Sequence, residues 1–221
     1  GVPLLIDPRT SWLNDGGTVN ATGGATVSLF GGNYTCTNGG RFVVGDGAEI
    51  ELNGISMFDC ILDPENLNGN LADNLYHLTT SSSLNGCTIN APIRVDNARI
   101  LSAVGNDLVN NAEIHLDGST GATTFSISDT SDNLLRILGT GTIKLDSIHD
   151  SVSGTVNHYL EQAANHTIEG FGSLGQNSIN VLNHGMIESN VSGNTLIIDP
   201  RTSFVNDGGT LQAVDGGIIR F

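Results

Sequence analysis

Residues able to do chemistry are sparse in this chain, and most of them sit in turns. Four sets of acids invite inspection: Asp129 with Asp132, Asp146 with Asp150, Asp63 with Glu65, and Asp73. Two carboxylates facing each other across a groove could cleave a glycosidic bond, one as acid and the other as base or nucleophile. These acids lie among Ser, Asn and Gly, however, where Asp ordinarily serves a turn by bonding the backbone. A lyase acting on acidic sugars would also want clustered Arg or Lys, and eight such residues in 221 show no cluster along the chain. The six histidines, at 77, 115, 149, 158, 166 and 184, lack the His-x-His and His-x3-His spacings, which argues against zinc. Asp129 and Asp132 are the candidates for a surface calcium ion, although the Gly-Asp nonapeptide that binds calcium in some solenoids is missing. Gly-x-Ser-x-Gly is absent, and Gly139-Thr140-Gly141 precedes no helix that could cradle a phosphate. The expectation is a chain with no catalytic residue and no cofactor, calcium being the one ion to consider.

Composition narrows the partners. The formal charge is −15 and Lys144 is the only lysine, so nucleic acid and anionic lipid are repelled. The acidity suits solubility outside a cell. No apolar run reaches the length of a membrane span; the sequence contains no signal peptide either, an absence that says little if Gly1 is a mature or excised start. Asn20, Asn33, Asn165 and Asn190 stand in Asn-x-Ser/Thr sequons, to which no role is given. Hydrophobic residues make up 38% and charged ones 14%, evenly spread, which excludes disorder; the 29 Gly suit short strands divided by many turns.

What must position any site is announced by a duplication. Ile6-Asp7-Pro8-Arg9-Thr10-Ser11 returns as Ile198-Asp199-Pro200-Arg201-Thr202-Ser203, and Asn14-Asp15-Gly16-Gly17-Thr18 as Asn206-Asp207-Gly208-Gly209-Thr210. Every pair is 192 positions apart, and the differences are apolar for apolar: Trp12 for Phe204, Leu13 for Val205, Val19 for Leu211. The two copies are expected to fill the same slot of a repeating architecture. Short strands such as Glu49-Ile50-Glu51-Leu52, Ile93-Arg94-Val95, Ile114-His115-Leu116 and Ile143-Lys144-Leu145 recur at separations in the twenties. That is the period of one solenoid turn, and 192 divides into about eight coils of roughly 24 residues. Helical periodicity is weak; only 63–78 and 157–164 suggest a short helix or a protruding loop.

From 165 onward the motifs Asn183-x-Gly185-x-Ile187-Glu188, Leu196-Ile197-Ile198-Asp199, Phe204-x-Asn206-x-Gly208 and Gly216-Gly217 resemble the repeats of haemagglutinin-like and autotransporter-type passenger regions. Leu135 to Leu145 is similar to another such coil, whereas 55–125 departs from the pattern. The resemblance implies an all-β chain: a single right-handed parallel β-helix of about nine coils with one or two loop or short-helix excursions. It also implies export to a bacterial surface. Gly16, Gly17, Gly208 and Gly209 would turn corners, with Asn14 and Asn206 beside them bonding the backbone. Cys36, Cys60 and Cys87, 24 and 27 apart, would stack inside the rod, read as small buried side chains rather than a Cys36–Cys60 disulfide, although that bond is within reach.

On this reading residues 1–221 form one domain, about one 192-residue period of a longer tandem array plus the start of the next. The function expected is a non-enzymatic structural or adhesive element of an extracellular fibre, stacking end to end on further repeats or other copies of itself. A polysaccharide lyase or hydrolase with its groove near 55–90 or 146–165, and a glycan-binding module without turnover, are the alternatives.

Overall fold

The computed structural model describes residues 2–66, 74–105, 107–128 and 132–221. It is a β-solenoid of about nine coils, in which short strands lie parallel on their counterparts in the next coil. Each coil has three sides. The first coil supplies Leu4–Ile6, Ser11–Asp15 and Thr18–Ala21, which pair respectively with Thr26–Phe30, Asn33–Thr37 and Arg41–Val44 of the second. No helix occurs among the described residues, and so none is long and apolar enough to cross a membrane.

Alternation along each strand decides which residues face inward. In Ala48–Asn53 the pattern is strictly buried and half-buried in turn, as in Thr123–Ser128 and Thr167–Leu174. With period two, every other side chain enters the rod and its neighbours face outward. Pairing then stacks the inward residues into columns. On the first side the column runs Leu4, Val27, Ile50, Tyr76, Ile93, Ile114, Ile143, Ile168, Ile187, Leu211. Its steps are unequal in sequence: the shortest runs from Tyr76 to Ile93 and the longest from Ile114 to Ile143. Nine steps carry it from Leu4 to Leu211, which makes the mean coil about 23 residues. At ~4.8 Å per coil the column is about 43 Å long. The period in sequence is therefore elastic, while the period in space is fixed by the hydrogen-bond ladder, and corners absorb the difference.

Corners are closed by inward amides. Asn14 Nδ2 donates to the carbonyl of Arg41 (3.2 Å), Asn110 Nδ2 to that of Thr142 (3.4 Å), Gln162 Nε2 to that of Met186 (2.8 Å) and Asn183 Nδ2 to that of Thr210 (3.3 Å). Each bond runs to the next coil, so the amides satisfy backbone oxygens at the turn and lock neighbouring coils together. The following glycines are needed there. Gly16 and Gly208 have φ of 66° and 73°, and a Cβ on Gly17 or Gly209 would sit 2.6 or 2.8 Å from Oδ1 of Asn14 or Asn206.

The duplicated segments share this local shape but not the same place. Leu4–Ile6, Ser11–Asp15 and Thr18–Ala21 lie on sides one, two and three; Thr195–Ile198, Phe204–Asn206 and Thr210–Ala213 lie on sides two, three and one. The expectation of equivalent slots is corrected to a displacement of one side. The coil length gives the reason: at about 23 residues per coil, eight coils fall short of the 192-position offset by roughly one third of a coil. The motif encodes strand, corner and strand, and it is accepted starting from side one or from side two of the prism. Its aromatic position plugs the core near each end: Trp12 packs on Tyr34 and Phe42 at 5.7 and 5.8 Å, and Phe204 on Phe221 at 5.7 Å.

Two further expectations change. Residues 157–164 form no helix or excursion: Tyr159–Gln162 is a third-side strand with Leu160 and Gln162 inward, registered on Leu135 and Ile137. Within 63–78 the structure holds the end of the strand Ile61–Pro64 and most of the strand Asn74–Thr80. Glu65 and Asn66 follow the first of these, and 67–73 lie outside the described residues. Cys36 and Cys60 are joined in a disulfide, their Cα atoms 4.9 Å apart, with Cys87 free and buried one coil further. The sulfurs do form a column, but its first two members are bonded, because stacking on adjacent coils brings them within bridging range.

Replacing both Cys36 and Cys60 with Ala should lower stability to urea unfolding by about 2–4 kcal/mol. Thiol titration of the native protein should find no reactive group and, after denaturation without reductant, only that of Cys87.

Candidate functional site

Stacking gathers on the outward face of side one what the chain scatters. Its central column reads Ser28, Glu51, His77, Arg94, His115, Lys144, Glu169, Glu188, Gln212. Four consecutive members, His77 to Lys144, can carry positive charge. Beside them on the same face stand Asp96, Asp117 and Asp146, each following the last residue of its paired strand segment. The absence of a basic cluster along the chain thus does not hold in space. A signal for it was present: Ile93-Arg94-Val95-Asp96, Ile114-His115-Leu116-Asp117 and Ile143-Lys144-Leu145-Asp146 are one word written three times.

The strip borders a groove of about 540 Å³ lined by Leu75, Pro92, Ile93, Arg94, Glu113, His115, Asp117 and Asp146. Its charges are already matched. Arg94 pairs with Asp117 and reaches Asp96 at 3.9 Å. His115 Nε2 lies 2.8 Å from Asp146 and Nδ1 3.5 Å from Glu113, while Lys144 Nζ stands 3.3 Å from Asp146. His77 is held at Nδ1 by Glu49, on the coil before, and at Nε2 by Asp96, on the coil after. A histidine with both ring nitrogens on carboxylates has no free lone pair to take a proton from a ligand. Such groups act as clamps between coils, each pair contributing at most about 1 kcal/mol where solvent reaches it.

Environment tunes several of these groups. Burial pulls the His77 imidazole down, but the hydrogen bonds and charges of Asp96 and Glu49 outweigh it and its pKa is raised. Glu169 is raised by burial and then by the neighbouring carboxylates Glu188 and Glu113. Under the surface, burial pushes Asp150 up to about 7 against the backbone N–H groups around it, and burial pushes His166 down to about 4.

Of the acids named from sequence, Asp63, Asp132, Asp146 and Asp150 are each engaged by other groups of the fold. Asp150 is fully buried and its Oδ2 accepts the Asp146 backbone N–H at 2.8 Å, so it supports the bend at 146–150 and faces no groove. Asp63 is engaged by Arg41 at 3.2 Å and by Asn90 at 2.7 Å on the third side. Asp132 accepts the Leu134 N–H at 3.1 Å, the turn role anticipated for these acids. Asp73 and Asp129 lie outside the described residues. Among the described residues no group of three or more His, Cys, Asp or Glu side chains could hold a metal ion.

Opposite signs separate the two buried groups. The folded pKa of His166 lies below its unfolded value of 6.5, so its stabilising effect is present above pH 6.5 and is lost as pH falls toward 4. That of Asp150 lies above its unfolded value of 3.8, so its effect is present below pH 3.8 and is lost as pH rises through about 7. Denaturant titrations between pH 4 and 8 should show the acid loss reduced in His166→Asn and the loss toward neutral pH reduced in Asp150→Asn, each by a few kcal/mol at most. A wild-type-minus-variant difference that is flat with pH for either residue would contradict the assignment.

Scans against models of known protein families, curated protein sequences and solved structures found no match to this chain.

Proposed function

We propose that this chain is a non-enzymatic structural and adhesive rod of an extracellular bacterial surface fibre, of the haemagglutinin-like or autotransporter passenger kind, that stacks end to end. The observation that carries the reading is the unbroken column from Leu4 to Leu211: each coil is held only by the coils on either side of it. Such a rod transmits position along an axis and gains nothing from closing on itself. The Cys36–Cys60 disulfide supports export, because such bonds persist in oxidising compartments. On side one, histidines clamped at both nitrogens favour cohesion over turnover. Stacking is supported by the ends of the ladder, where the column residue Leu4 is 59% exposed and strand edges are unpaired, a template for further coils of the same chain or of another copy.

A polysaccharide-cleaving enzyme is the second reading, favoured by the groove between Arg94, His115 and Asp146. Product release from acidic or neutral polysaccharides would establish it.

Sedimentation of the 221-residue protein should show concentration-dependent head-to-tail oligomers, reduced at least tenfold in association constant by Leu5→Pro or Ile219→Pro in the outermost strands. A single monomeric species at every concentration would overturn the stacking.

A further inference from the structure

The three sides differ in chemistry, and the second side is unlike the others. Its central outward column reads Ser11, Asn33, Ser56, Ser83, Ser102, Ser126, Ser153. The column before it carries Ile100, Thr124, Ser151, Ser173 and Ile197, and the column after it Leu13, Thr35, Phe58, Asn85, Val104 and Ser128. From Asn33 to Ile197 no outward residue registered in these columns is Asp, Glu, Lys, Arg or His. In a chain of net charge −15 that is a continuous neutral face, flanked by a side of ion pairs and by a third side bearing Arg41, Asp63, Asp107, Arg136 and Glu161.

We infer that this face is a binding surface for a neutral, extended polysaccharide laid along the rod. Hydroxyls are both donors and acceptors, as sugar hydroxyls are, and on parallel coils they repeat at ~4.8 Å in line with the axis. Among the described residues, the Ser83–Ser56 bond at 2.8 Å and the Thr124–Ser151 bond at 3.0 Å are the ones that join hydroxyl to hydroxyl in the array, which leaves Ser102, Ser126 and Ser153 able to meet a ligand. Phe58, Ile100 and Val104 flank the serines and offer carbon surface to the apolar faces of sugar rings. A shallow groove of about 290 Å³ runs between Ser56, Ser83, Ser102 and Ile100. The absence of charge selects against uronic or sulfated chains, which would gain no cation here and would meet an acidic molecule. A protein partner, including a second copy, fits less well, because interface cores are depleted in Ser and enriched in aromatic residues and Arg.

The inference gives a ligand to the adhesive half of the proposed function and rests on it; end-to-end stacking does not depend on it. The test is co-sedimentation with microcrystalline cellulose, chitin and β-mannan, with polygalacturonate as the charged comparison. The wild-type protein should bind at least one neutral polymer and not polygalacturonate. Ser102→Asp with Ser126→Asp should weaken binding at least tenfold, whereas Thr88→Asp, outward on the third side, should leave it unchanged. Should the double Asp variant lose its far-ultraviolet signature, Ser102→Ala with Ser126→Ala replaces it, with a loss of at least threefold expected. Three results would overturn the inference: no binding to any neutral polymer, equal loss in Thr88→Asp, or wild-type dimers that the side-two variants dissociate, which would make a second copy the occupant. Each leaves the sedimentation result for head-to-tail stacking as it stands.

Discussion

Backbone hydrogen bonds between consecutive coils govern everything else in this molecule. A parallel ladder at ~4.8 Å leaves no freedom along the axis, so a residue's neighbours are set by register and not by closeness in sequence. Inward, this demands that each slot be filled by a side chain its upper and lower neighbours can pack on, and the column from Leu4 to Leu211 is apolar at every level, with Tyr76 the only polar-tipped member. Outward, the same register multiplies whatever residue occurs once per coil. A single Arg, His or Lys per coil becomes a charged strip on side one, and a single Ser per coil becomes a hydroxyl array on side two.

Electrostatics on side one shows how that multiplication is tolerated. Like charges in register would repel, and the sequence answers by following Arg94, His115 and Lys144 each with an Asp two positions on. Arg94, His115 and Lys144 are thereby neutralised by Asp96, Asp117, Asp146 and Glu113, across coils as well as within them. Toward the C-terminal coils the pattern lapses, and Glu169 and Glu188 face each other in register, softened by Asn190 on the one and Gln212 on the other. The buried polar groups follow a different rule. Amide N–H groups at the corners donate to carbonyls of the next coil, whereas Asp150 and His166 answer burial by resisting ionisation.

Much of the architecture was legible from residue types alone. Alternation in Glu49-Ile50-Glu51-Leu52 and the triplets at Ile93, Ile114 and Ile143 identify strands, and recurrence in the twenties identifies coils. The one-side displacement of the duplicated motif was not. A mean coil of about 24 residues divides 192 evenly, while a mean of about 23 leaves one third of a turn over. Gly-rich corners conceal the difference, since the short step from Tyr76 to Ile93 and the long step from Ile114 to Ile143 coexist. At Tyr159 to Gln162 the local text resembles a short helix, and pairing with Leu134 to Ile137 overrides it. The charged strip is signalled along the chain by one repeated word alone, and the serine face by nothing local. Their members lie a whole coil apart and share no local motif beyond the repeated Ile-x-Val/Leu-Asp word.

Cross-linking by register tests the stacking most directly. With Cys87 replaced by Ser, the pair Ser102→Cys and Ser126→Cys places thiols on directly paired positions of adjacent coils, whereas Ser102→Cys with Thr88→Cys places them on different sides. Mild oxidation should give a near-complete intramolecular bond in the first pair and none in the second, read by peptide mass after alkylation. Equal bonding in both pairs, or bonding in the second alone, would contradict a solenoid of parallel coils in this register.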